Sequence, residues 1–84
     1  KPDESYRAAW EIKDESLIRS SAEKLIETNL RVASRVAVET KNEAFLEHVI
    51  QEAENRGEDV MADYARKELK EVRLKRLMEE FDKI

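Results

Sequence analysis

The chain has 84 residues, of which 43% are charged and 40% hydrophobic, and its formal net charge is −4. A chain of this length forms one domain, and the absence of cysteine excludes disulfides, thiolate nucleophiles and cysteine-containing zinc sites. Apolar runs reach only two or three residues, which is too short for a membrane span, and we expect no secretory signal. The negative charge argues against nucleic acid and anionic membranes as partners.

The chain contains one proline and one glycine, Pro2 and Gly57. A β-rich domain of this size needs many tight turns, whose backbone angles are usually supplied by glycine, asparagine or proline. The apolar residues follow a helical period instead, and most polar positions hold strong helix formers. The sequence therefore predicts an all-α domain over residues 1–84, a small bundle of three to four antiparallel helices.

The first predicted helix spans residues about 3–13. Pro2 and the two acids that follow it suit a helix start, where the positive end of the helix dipole favours carboxylates. Tyr6, Ala9 and Trp10 form its apolar face, which is rotated by more than a quarter turn from the apolar stripe of the next segment.

The second predicted helix spans residues about 16–39, with Ser16 as its N-cap. Continued backward, its apolar stripe runs into acidic residues, so we expect a break before residue 16. The alternative is one long helix over residues 3–39 that changes its packing partner there. The stripe consists of Ile18, Ser21, Ala22, Leu25, Asn29, Val32, Ala33 and Val36.

Asn29 interrupts this stripe between Leu25 and Val32, and three alternatives are open for it. A buried asparagine can specify register or oligomeric state at a cost in stability, which makes Asn29 a candidate specificity residue. Asn29 can also be the N-cap of a helix that starts at Leu30, or lie on an exposed flank.

The third predicted helix spans residues about 42–56. Thr40 and Glu43 have the Thr-x-x-Glu spacing of a capping box, in which each side chain accepts a hydrogen bond from the other's backbone N–H. Gly57 suits the left-handed residue that ends a helix, and we expect Asp59 to be the next N-cap. The inward residues are Phe45, Leu46, Val49, Ile50 and Ala53.

The fourth predicted helix spans residues about 59–83. Its apolar residues recur in four-residue steps, so the stripe drifts around the helix by nearly half a turn. Such a helix crosses its neighbours steeply or meets different neighbours along its length. Near its end, Leu74, Met78 and Phe81 form an apolar face that is a candidate interaction surface.

We expect the 16–39 and 59–83 helices to form the long axis of the bundle, with the 3–13 helix at one end and the 42–56 helix at the other. If the first break is absent, the overhanging part of the first helix needs a second chain to cover it. The protein would then be an intertwined homodimer.

The sequence offers no metal site. His48 is the only histidine, and it lies roughly 130° from the centre of its helix's apolar face. Zinc needs three or four ligands, usually including histidine or cysteine. Phe45 occupies the position from which a Glu-x-x-His di-metal site would need a carboxylate. We therefore expect no metal and no cofactor.

We predict no catalytic residue and no enzymatic activity. Most carboxylates lie on solvent faces, where general acid–base catalysis gains nothing from them. Glu11 and Glu68 come nearest to an apolar face. A functional role for either one, and a side chain that reaches from a helix boundary into water, explain this position equally well.

Arg66, Lys70 and Arg73 form a small basic patch on the last predicted helix. Nucleic-acid binding needs more positive charge, fewer interrupting acids and stacking aromatics. The patch is expected to be an ordinary solvated face, with contact to a phosphate or an acidic partner as the alternative. Lys67 and Arg76 lie nearby.

Tyr6 and Trp10 are candidates for interface anchors, because aromatic residues are enriched at binding hot spots. A short helix that docks through few residues also needs large apolar groups. Core packing is therefore the other role for both, and the one we expect.

Two segments carry a partial resemblance to an enzyme family. The residues are Leu25, Ile26, Val32, Ala33 and Val36, then Glu43 and Ala44 through Gly57. With an unbroken first helix, they resemble the first-helix core and the second helix of the all-helical chorismate mutases. The resemblance implies an intertwined dimer that binds a dicarboxylate with arginines and a lysine. Asn29 stands where that family has an arginine, and the arginine-bearing loop is missing, so no site residue is carried over.

We predict a structural helical bundle without catalytic or small-molecule-binding activity. The cysteine-free composition, the helix-forming polar positions and the short loops are typical of de novo designed proteins and of some natural helical domains. The alternative is a protein–protein interaction module that docks a partner helix through Trp10 or the Leu74–Phe81 face.

The expected partners follow from these two hypotheses. The bundle needs no partner or self-associates as a homodimer, and the interaction module binds another protein. Neither involves nucleic acid, a membrane or a small-molecule ligand. The location is left open, and the composition is compatible with a soluble protein of the cytoplasm or of recombinant expression.

Overall fold

The computed structural model describes residues 2–82, and within that range the chain forms five α-helices. The all-α prediction is confirmed, but the predicted count of three to four helices is wrong, because the predicted 16–39 helix is two helices. The end of the predicted 59–83 helix lies outside the described residues. The helices are α1 (Pro2–Ile12), α2 (Glu15–Thr28), α3 (Leu30–Thr40), α4 (Glu43–Asn55) and α5 (Asp59–Asp82).

Asn29 separates α2 from α3. Its backbone is extended, with φ −157° and ψ 93°, and its side chain accepts a hydrogen bond from the Val32 N–H at 3.2 Å. The Asn29 N–H still donates to the Leu25 carbonyl at 2.8 Å, so one residue ends α2 and caps α3. The side chain is exposed. Asn29 therefore has the capping role among the three alternatives, rather than the buried position of a specificity residue.

The predicted break before residue 16 is present. Lys13 adopts the left-handed conformation with φ 58°, and the Asp14 N–H donates to the Ala9 carbonyl at 3.2 Å, the pattern that closes a helix end. The Asp14 side chain then accepts from the Leu17 N–H at 3.1 Å. Asp14, not Ser16, is therefore the N-cap of α2.

The corner between α3 and α4 uses a cap that differs from the predicted one. Lys41 is left-handed with φ 54°, and the Asn42 side chain accepts from the Phe45 N–H at 3.2 Å. Thr40 still belongs to α3, and its hydroxyl donates to the Val36 carbonyl at 2.9 Å. The predicted capping box of Thr40 and Glu43 is therefore wrong, because the threonine hydroxyl is used by its own helix.

Gly57 ends α4 as predicted. Its φ is 71°, and the next N–H, from Glu58, donates to the Ala53 carbonyl at 2.8 Å. Asp59 is the first residue of α5 and not its N-cap. Its carboxylate still lies in the first turn, where the helix dipole favours it.

One apolar core joins all five helices, and Tyr6 ties α1 into it. The Tyr6 side chain is fully buried, and its ring packs against Phe45 with the centroids 4.9 Å apart. Its hydroxyl lies 3.1 Å from the Thr40 hydroxyl and accepts from the Asn42 amide at 3.1 Å. Tyr6 therefore has the core role, and it holds α1 against the corner between α3 and α4.

α4 lies at the centre of the arrangement and packs against α2, α3 and α5. α5 packs mainly on α4 and runs antiparallel to it, since Glu43 pairs with Arg76 while Glu54 pairs with Arg66. Within residues 2–82, α2 does not contact α5. The predicted long axis of 16–39 against 59–83 is therefore wrong.

The second half of α5 extends beyond the core. α5 has 24 residues and α4 has 13, so the two helices are about 36 and 20 Å long. The molecule measures 42 × 32 × 16 Å, and its radius of gyration of 13.2 Å exceeds the value of about 12 Å for a compact domain of this length. Every residue from Arg73 to Asp82 is exposed.

The capping role of Asn29 gives a stability prediction. Asn29→Ala removes the acceptor for the Val32 N–H and should cost about 1 kcal/mol of unfolding free energy. In a domain of this size, that loss lowers the melting temperature by about 4–8 °C. Thermal and urea unfolding measure both quantities. The melting temperature of Asn29→Ser should stay close to that of the wild type, because a serine side chain also accepts the N-cap hydrogen bond.

Asn29→Leu separates the capping role from a buried one. At an exposed cap, leucine should destabilise the protein about as much as alanine does. A higher melting temperature for Asn29→Leu, or a changed oligomeric state, would contradict the capping assignment.

Candidate interaction surfaces

The described residues bring no metal-binding group of side chains together. Among residues 2–82, no group of three or more histidine, aspartate or glutamate side chains could hold a metal ion. Glu11 is exposed, and Glu68 and His48 are half-buried without acidic or basic partners in an ion pair of that range. The buried side-chain nitrogen and oxygen atoms described there all have hydrogen-bond partners. The surface of the molecule has two apolar features that are candidate sites.

The first such feature is a groove between the α1–α2 hairpin and α4, with a volume of about 710 Å³. Ile18, Ala22 and Phe45 line its apolar part, and Trp10 contributes one wall. The Trp10 ring is stacked on Tyr6 with the centroids 6.2 Å apart, and the residue remains 38% exposed. Trp10 is thus shared between the core, through its contact with Tyr6, and the groove.

The rim of this groove carries charges of both signs in equal number. Its volume falls in the range of small-molecule pockets, but such pockets also hold a few convergent polar groups that orient the ligand. Here two cationic and two acidic side chains balance one another, and His48 is half-buried beside them. The groove therefore does not select a ligand class. The rim residues are Lys13, Glu15, Arg19, Glu23, Asn42 and His48.

The second feature is the apolar stripe on the outer side of α5, which we name the α5 face: Leu74, Leu77, Met78 and Phe81. These four side chains are 57%, 53%, 62% and 78% exposed, respectively. Their i, i+3, i+4, i+7 spacing places them on one side of the helix over two turns.

The α5 face points away from the core. At 100° per residue, its centre lies about 150° around α5 from the buried residues Ala65 and Leu69. The sequence predicted Leu74, Met78 and Phe81 as a candidate surface, and the structure adds Leu77, which is exposed on the same side of the helix. Because the two stripes are on opposite sides of one helix, covering the core leaves the α5 face open.

Three carboxylates of α4 form ion pairs with three arginines of α5. Glu43 binds Arg76 at 2.9 Å and lies 3.8 Å from Arg73, which also pairs with Glu47. About two turns earlier on α5, Arg66 binds Glu54 of α4 at 3.1 Å and Asp63 of its own helix at 2.7 Å. The predicted basic patch is therefore largely neutralised within the molecule, which weakens the case for a phosphate or acidic partner there.

Comparison with known proteins adds no relationship: no family model, no curated protein and no solved structure matches the chain. The partial resemblance to chorismate mutases required an unbroken first helix. The structure breaks that segment after Ile12 and again at Asn29, so the long helix that the resemblance required is absent from the described residues. None of the described helices combines the length and the hydropathy needed to cross a bilayer.

The ion pairs between α4 and α5 give a second stability prediction. Glu43→Gln removes the acceptor that serves Arg73 and Arg76 and should lower the unfolding free energy by about 0.5–1 kcal/mol in dilute buffer. The loss should shrink by half or more in about 1 M salt, because exposed charges are screened. Urea titrations at both salt concentrations measure it.

Glu15→Gln is the matched control. Glu15 is the first residue of α2 as Glu43 is of α4, and it has no ion pair among the described residues. It therefore reports the helix-dipole contribution alone, a few tenths of a kcal/mol. Equal losses in the two variants would contradict a stabilising contact between Glu43 and the arginines.

Proposed function

We propose that this protein is a helical protein–protein interaction module that docks a partner helix on the α5 face. One observation carries the proposal: four large apolar side chains, each more than half exposed, form a single stripe on a helix whose first half the core holds in place. Contiguous exposed apolar surface of this kind marks interaction sites more often than isolated apolar residues do.

The shape of the α5 face favours a helix as the partner. A stripe with i, i+3, i+4, i+7 spacing over two turns matches the seam by which two amphipathic helices pack together. Removing apolar surface from water contributes about 25 cal/mol per Å², and a phenylalanine such as Phe81 is among the largest contributors. Docking therefore gains most from covering the end of the stripe.

The structural-bundle hypothesis is the second candidate, and the closed core favours it. The caps of α2, α3 and α4 and the satisfied buried polar atoms suit a self-contained scaffold, including one of de novo design. A purely structural role uses the apolar residues of α5 only as far as Val72, the last one packed against the core, and the arginines of α5 as far as Arg76. It gives the α5 face no purpose, and for that reason we place it second.

A peptide-binding experiment tests the proposed function. The probes are fluorescent synthetic amphipathic helices with leucine at the core heptad positions and varied flanking charge, titrated at low protein concentration. We expect at least one to bind with a dissociation constant of about 1–100 μM. The variant Leu77→Lys/Phe81→Lys should bind it at least about tenfold more weakly, because the charges make the stripe polar.

Val60→Lys is the matched control. Val60 is also an exposed apolar residue of α5, at 85%, and it lies outside the α5 face. It should bind the probes like the wild type, and circular dichroism should show that all variants remain helical. Failure of every probe to bind, or equal binding by the double variant, would overturn the proposal.

A further inference from the structure

We infer that the partner helix is the α5 face of a second copy of this chain, packed antiparallel to the first. The inference rests on the proposed function, whose partner it names. It is carried by a symmetry in the sequence of the exposed segment 73–82, where both the apolar and the charged residues are complementary to the same segment turned end to end.

The charges divide this segment into two halves. Arg73, Lys75 and Arg76 stand in its first half, and all the carboxylates stand in its second half. A parallel pair would place cations beside cations and acids beside acids. An antiparallel pair places each half beside the opposite half of the partner, so charge selects this orientation. The carboxylates are those of Glu79, Glu80 and Asp82.

The apolar residues agree with the same orientation. A two-fold axis between Leu77 and Met78 sets Leu77 opposite the partner's Met78 and Leu74 opposite the partner's Phe81. Each large side chain then packs against another large side chain, and no charged residue enters the seam. One register thus satisfies the apolar and the charged positions together.

The flanks of the stripe form ion pairs in this register. Arg73 and Glu80 are seven residues apart and share one flank of α5, whereas Lys75 and Asp82 share the other. The two-fold axis turns each flank onto the same flank of the partner. Arg73, which also pairs with Glu47 of its own α4, therefore lies beside the partner's Glu80, and Lys75 meets the partner's Asp82. Lys75 has no ion pair within residues 2–82, so it is available for this contact.

The contact is limited to a short segment. Between Val60 and Leu74, the side of the helix that carries the stripe holds Asp63, Lys67 and Lys70 instead of apolar residues. A stable interface buries about 800 Å² per partner, more than four side chains provide. The dimer is therefore weak and concentration-dependent, with a dissociation constant of about 10–100 μM.

Charge exchange tests the pairing. Lys75→Glu alone places a glutamate against the partner's Asp82, and Asp82→Lys alone places a lysine against the partner's Lys75. Sedimentation equilibrium should show dimerisation weakened about tenfold in each variant, because both symmetric pairs become repulsive. An equimolar mixture of the two variants should recover wild-type association, because opposite charges then meet in a mixed dimer.

Disulfide trapping tests the orientation, and the cysteine-free chain makes every introduced thiol unique. Mixed Leu74→Cys and Phe81→Cys proteins should cross-link on oxidation. Leu74→Cys alone should cross-link far less. In the antiparallel register, the two copies of residue 74 lie about 10 Å apart along the helices. Bridged cysteines need Cα atoms within about 7 Å.

The outcomes separate this inference from the proposed function. A protein that remains monomeric up to millimolar concentration but binds the amphipathic peptides overturns the inference and leaves the proposed function standing. A protein that remains monomeric and binds none of the peptides overturns both the inference and the proposed function. Efficient cross-linking of Leu74→Cys alone, or a dimer whose stability the charge variants do not change, also overturns the antiparallel α5 pair.

Discussion

The structure depends on the packing of α4 against its neighbours. Phe45, Leu46, Val49 and Ala53 are at most 2% exposed, and this single short helix contacts α2, α3 and α5. α5 contributes small buried residues such as Ala62, and small side chains allow two helix backbones to approach closely. Because α4 has 13 residues and α5 has 24, this contact ends before α5 does. The second half of α5 therefore extends past α4, and the α5 face lies on the side of that half that points away from the core.

The helix boundaries show what local sequence can and cannot predict. Gly57 was predictable, because glycine adopts the left-handed conformation without steric cost. The other two residues that end a helix in the left-handed conformation are lysines, at 13 and 41. A side chain makes this conformation unfavourable, so the residue type does not predict a helix end there. A usable pattern exists in retrospect: Lys-Asp-Glu at 13–15 and Lys-Asn-Glu at 41–43 each hold a stop, an N-cap and a first helical acid. Asn29 lacks that pattern, so its alternatives could not be resolved.

The candidate surface was predictable in part. Helical periodicity placed Leu74, Met78 and Phe81 on one face, but periodicity alone does not say whether a face is covered. That depends on which helix packs against α5 and how long it is, which are properties of the whole fold. The expectation that the whole 16–39 segment packs along α5 failed for this reason, since the break at Asn29 leaves α3 in contact with α5 but turns α2 away. The charge pattern of residues 73–82 can be read as a pairing code only once the fold shows that this surface is open.

The central claim is that α5 has two parts, one held by the core and one outside it. Amide hydrogen exchange measured by NMR in dilute solution tests this most directly, since amides in the core exchange only through global unfolding and those in weakly held segments exchange through local opening. The amides of Ala65 and Leu69 should exchange as slowly as those of Leu46. The amides of Leu77 to Phe81 should exchange several orders of magnitude faster. Uniformly slow exchange along the whole of α5 in a monomer would contradict the account.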